Sequence, residues 1–71
     1  MFIPNKIKEL REKKGVTQPK MVLELFAQYQ LEVTRQTITS WENGDTFPGA
    51  NILNILCKYF DVSADVFYNK L

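Results

Sequence analysis

Between Thr34 and Gly44 the chain reads TRQTITSWENG, a run of small hydroxyl, amide and charged side chains around two large apolar ones. On a helix the three-residue step from Ile38 to Trp41 puts both on one face and leaves Arg35, Gln36, Thr37, Thr39 and Ser40 for the other. Those residue types suit the edges of bases in a major groove. Glutamine can bond adenine through two contacts, arginine can do the same with guanine, and serine or threonine can accept either base or touch a thymine methyl. The same types also make an ordinary solvated face, and on composition alone that plainer reading stands ahead.

Other chemistries find less support. Histidine is absent and cysteine occurs once, so the chain offers no internal disulfide, no zinc-ligand spacing and no Cys/His nucleophile pair. Glu9, Glu12, Glu24 and Glu32 show no spacing of an acid/base pair. Cys57 lies in an apolar stretch with nothing to activate it and is expected to be a small buried side chain. Trp41 could stack on a base, but its register with Ile38 assigns it to the packed face. The chain is therefore read as no enzyme, with no metal, no cofactor and no small-molecule ligand.

The elements that must position the Thr34–Gly44 run are helices, punctuated by single glycines and prolines. Asn5 is the expected cap of helix 1, about residues 6–14, with Ile7 and Leu10 inward and Gly15 ending it. Thr17 caps helix 2, about residues 18–30, in which Pro19 is tolerated in the first turn and Met21, Val22, Leu25, Phe26 and Tyr29 follow at helical steps. Thr34 caps helix 3, about residues 35–43, and Asn43-Gly44 stops it. Ile52, Leu53, Ile55, Leu56, Cys57, Tyr59 and Phe60 make helix 4, about residues 50–60, apolar over more than half its circumference. Ser63 and Asp65 start a short fifth helix carrying Val66, Phe67 and Leu71. The expectation is an all-α domain of five short helices occupying residues 1–71.

Seventy-one residues, 45% hydrophobic and 24% charged, suit one small folded unit. A domain of this size hides only about 60% of its unfolded surface, so dimerisation is a plausible supplement to its stability. No run approaches a membrane span or a signal peptide, and cytoplasmic residence is expected. The net charge is only +1, but residues 1–20 hold Lys6, Lys8, Arg11, Lys13, Lys14 and Lys20 against Glu9 and Glu12, whereas residues 36–71 are net acidic. Lys6 and Lys8 oppose the dipole at the start of helix 1, an arrangement that makes sense beside phosphate and equally on a solvated face.

The order IKELREKKGVTQ, then VTRQTITSWENG, then a proline, then an apolar helix ending FDVSADVF resembles the Cro/lambda-repressor-like helix-turn-helix family over nearly the whole chain. The resemblance implies a recognition helix capped by Thr34, with Arg35, Gln36 and Ser40 at base-facing positions and Asn43 on the DNA backbone. It places Gln18 at a phosphate-binding position, where the helix dipole also favours an anion. It makes Arg11 and Glu42 an internal ion pair tying helix 1 to helix 3. Two features depart from the family pattern. Gln18 and Thr34 are further apart than usual by about six residues, enough for more than a turn of helix 2 or for a loop around Leu31-Glu32-Val33. The loop after Gly44, often basic in the family, is Asp45-Thr46-Phe47 here.

What the resemblance implies for function is sequence-specific binding of a double-stranded DNA operator by a small regulator, such as a phage or mobile-element switch protein of the Cro type, with Lys6, Gln18 and Asn43 on phosphates. A rival follows from the low net charge and the surplus of large apolar residues: an anti-repressor that binds a partner repressor. Its interface would hold Leu23, Phe26, Tyr29 and Leu31 beside Arg35 and Ser40.

Overall fold

Proline at the first helical position needs no amide partner and arrives with φ already set, and Pro4 starts the first helix two residues earlier than a cap at Asn5 would. In the computed structural model, which describes residues 2–68, α1 runs Pro4–Lys14. Ile3, not Asn5, stands at the cap position, and Asn5 is an exposed residue of the first turn. The reason lies at the far end of the chain. Ile3 N–H donates to the Phe67 carbonyl at 2.7 Å, and Phe2 forms an isolated antiparallel bridge with Tyr68, so the segment before Pro4 is held extended.

Thr17 and Thr34 cap their helices through their hydroxyls, which accept from the amides of Lys20 and Thr37 respectively. α2 spans Gln18–Tyr29 and stops one residue before its expected end, because Gln30 turns left-handed at φ 56°. Residues 30–34 then carry the chain to α3, Arg35–Asn43, without helix, so Leu31-Glu32-Val33 belongs to the connection. Gly44 closes α3 at φ 82°, and a Cβ there would lie 3.0 Å from the Pro4 ring. Both the conformation and the close approach to α1 therefore call for glycine.

α4, Ala50–Phe60, supplies Leu53, Leu56 and Tyr59 to the core. Ile7, Met21, Leu25, Ile38, Trp41 and Phe67 complete that core. Cys57 is part-buried beside it, and desolvation pushes its thiol above the ordinary range. The expected fifth helix is a single 3-10 turn, Ala64–Phe67, with Phe67 fully buried and Leu71 outside the described residues. Among the described residues there are thus four α-helices and one short turn, because only Phe67 drives into the core and four residues are too few for an α-helix to propagate. Among them no helix is long and apolar enough to cross a membrane.

Candidate nucleic-acid interface

α3 rests on Ile38, Trp41 and Glu42, all buried. At about 100° per residue, Arg35, Thr39, Asn43, Gln36 and Ser40 fall within an arc of about 140° that faces away from Ile38 and Trp41, with Glu42 at its Arg35 edge. Arg35, Gln36 and Asn43 are exposed, and Thr39 and Ser40 are half-buried. Thr37 does not share this face. It lies beside Trp41 and contributes to a groove on the α2 side, and its hydroxyl is 3.0 Å from that of Thr34.

Behind the face stands a hydrogen-bonded network. Arg11 Nε donates to Glu42 Oε2 at 2.7 Å and Nη2 to Oε1 at 3.3 Å, while Nη1 donates to the Val16 carbonyl. The Glu42 side chain is 4% exposed and that of Arg11 11%. Hydrogen bonding to Glu42, opposed by desolvation, holds the guanidinium pKa above its already high ordinary value. Gln18 extends the network, with its Nε2 donating to Glu42 Oε1 at 3.0 Å and its Oε1 accepting from both Arg35 Nε and Thr39 Oγ1. One side-chain N–H of Gln18 is thus committed to Glu42, and Thr39 turns its hydroxyl to Gln18 and to the Arg35 carbonyl. Sequence patterning gave no sign of this bracing. Lys6, at the start of α1, lies 3.3 Å from Glu9 in an exposed ion pair, a contact worth little in solution.

The four apolar residues considered for a partner surface divide in two. Leu23 and Phe26 are 68% and 52% exposed, whereas Tyr29 and Leu31 pack against the core. An open groove of about 630 Å³ runs beside them, lined by Val22, Leu23, Phe26, Val33, Trp41 and Ile52 among others. An aromatic cluster around Phe2 was not apparent from spacing. Phe2 lies with its ring centroid 5.3 Å from that of Phe47 and 5.8 Å from that of Tyr68, because the Phe2 bridge draws the two chain ends together.

Two consecutive helices joined by a short connection, the second capped, polar outward and seated on its own buried tryptophan, define a helix-turn-helix protein. The model of the helix-turn-helix domain family matches residues 5–70, and the chain belongs to that family. Among curated proteins it is similar to the HTH-type transcriptional activator BcrR of Enterococcus faecalis, with 32% identity over 65 residues. The match covers 92% of this chain and 29% of that protein, so the chain spans less than a third of its relative's length. No solved structure matches.

Proposed function

We propose that this chain is a sequence-specific DNA-binding unit of a transcription regulator, with α3 in the major groove. The observation that carries the reading is the α3 face itself. Arg35, Gln36, Ser40 and Asn43 share one side of the helix, and a buried ion pair at the Arg35 edge of that face ties the helix to α1. Arg35, Gln36 and Ser40 take the base edges. Asn43, Lys6 and the start of α2 at Gln18, whose backbone N–H lies at the positive end of the helix, take phosphates. Family membership and the similarity to a transcriptional activator support regulation of transcription. The reading extends to a switch protein of the Cro type, acting as a dimer on half-sites about 34 Å apart. The experiment is binding of fluorescent duplex DNA by wild type and by Arg35→Ala: affinity that falls with salt and a base preference that the variant loses support the reading.

One observation favours a second reading, an anti-repressor whose surface takes a partner repressor. Leu23 and Phe26 stand open to solvent at a groove that reaches Thr37. Phe26→Ser distinguishes the two: it weakens a protein complex and leaves DNA affinity unchanged if the groove is the partner surface.

A further inference from the structure

Gln18 joins the buried ion pair to the exposed start of α3 with a definite polarity. Glu42, bonded to Arg11, is an acceptor, and the N–H end of the Gln18 amide meets it at 3.0 Å. The guanidinium of Arg35 has donors only, and the carbonyl end of the same amide meets its Nε at 3.3 Å. Thr39 Oγ1 donates to that oxygen as well, at 3.1 Å. A flipped amide would set oxygen against the Glu42 carboxylate and N–H against the Arg35 guanidinium, two repulsive contacts in place of two bonds. Arg11 in turn fixes Glu42 through Nε at 2.7 Å and Nη2 at 3.3 Å. Orientation therefore passes from the interior to Arg35 in one sense only.

The contact point on Arg35 matters. Held through Nε, the side chain keeps both terminal nitrogens free, and that fork matches the O6 and N7 acceptors of guanine. Among the described residues Arg35 makes no ion pair that would draw the fork away. Thr39, by contrast, turns its one hydroxyl proton toward Gln18 and the Arg35 carbonyl.

We infer that Glu42 and Gln18 are positioning residues that aim Arg35 at a guanine, so that the start of α3 reads a G·C pair, and that Thr39 braces this arrangement instead of reading a base. The assignment rests on the DNA-binding reading above and goes beyond it by naming the base and the residues that set it. It also gives the Gln18 side chain a role separate from phosphate contact.

The test uses the full chain and random duplexes of about 20 base pairs, two turns of DNA, from which wild type, Gln18→Ala, Arg35→Ala, the double variant and Thr39→Val each select. Wild type is expected to select guanine at one position of each half-site. Gln18→Ala and Arg35→Ala each lose that preference by about tenfold or more, within the range of one bidentate contact, and the double variant loses no more than Arg35→Ala alone. Thr39→Val keeps every other base preference. A uniform drop in affinity for Gln18→Ala with guanine still selected makes Gln18 a phosphate contact and overturns the inference, as does selection of another base opposite Arg35.

A second measurement needs no DNA. In nitrogen-15 NMR spectra of the free protein, the Arg35 Nε–H is expected to exchange with water several-fold faster in Gln18→Ala than in wild type, while the Arg11 Nε–H stays protected in both. Equal exchange rates for Arg35 remove the brace whatever the DNA result. A wild-type protein that binds no duplex removes the DNA-binding reading and the guanine assignment with it, and the exchange rates still decide whether Gln18 holds Arg35.

Discussion

Replacing Glu42 by Gln changes one oxygen to an amide nitrogen at a buried site and almost nothing in volume. The carboxylate accepts Arg11 Nε at 2.7 Å and Nη2 at 3.3 Å through its two oxygens, and Gln18 Nε2 at 3.0 Å. An amide has a single oxygen. If it faces Arg11 Nε, its N–H₂ group opposes Arg11 Nη2 and Gln18 Nε2, both donors, and Gln18 relieves the clash only by flipping its own N–H₂ toward Arg35. Removing the charged partner of a buried guanidinium costs about 3–5 kcal/mol, and the one retained bond puts this variant near the lower figure. A domain of this length holds about 4–10 kcal/mol in total. At about 4–8 °C per kcal/mol for a domain of this size, the melting temperature should fall by about 12 °C or more. Thermal unfolding followed by far-ultraviolet circular dichroism measures it. A melting temperature within about 2 °C of wild type would refute the reasoning, because the ion pair would then stabilise no more than an exposed one.

Trp41 is 3% exposed, so its fluorescence should be blue-shifted and poorly quenched by iodide, and an emission like that of free tryptophan would contradict the core placement. The Tyr59 phenol is buried and donates to Glu24 Oε1. Desolvation, then that hydrogen bond, raises its pKa. The folded chain thus keeps this proton at pH values where the unfolded chain has lost it, and stability should fall as pH rises above about 10, the ordinary tyrosine value. Urea midpoints measured from pH 9 upward should decline less steeply in Tyr59→Phe, which at neutral pH should lose about 1 kcal/mol; parallel declines would place the titration elsewhere.

Local signals made most of the helical frame legible. Thr17 and Thr34 announced their caps, Gly15 and Gly44 their left-handed stops, and the apolar steps of α4 its buried side. Where spacing misled, a contact distant in sequence had decided the outcome. Asn5 is a good cap by type, but the bond from Ile3 to Phe67 sets the entry two residues earlier. Tyr29 and Leu31 looked like surplus apolar surface, yet Tyr29 continues the buried stripe of Met21 and Leu25, and the turn at Gln30 folds Leu31 back onto the core. Ser63 and Asp65 suggest a helix start, but only a 3-10 turn forms before the chain pairs with Phe2. In the candidate site the outward face of α3 followed from helical periodicity. Thr37 departs from it by sitting on the Trp41 side, a distinction that sorting residues by polarity does not make. The Gln18 bridge was invisible because it joins residues 17, 21 and 24 positions apart.

Titration of the protein into duplex DNA across a salt series tests the central claim most directly. DNA reading by α3 predicts an affinity that falls linearly in log–log form with salt, by a slope of about −2 to −3 if two or three cations, Lys6 among them, neutralise phosphates. It also predicts a preferred sequence that changes in Arg35→Ala. No binding to any duplex at low salt, or binding whose sequence preference ignores Arg35, Gln36 and Ser40, would contradict it.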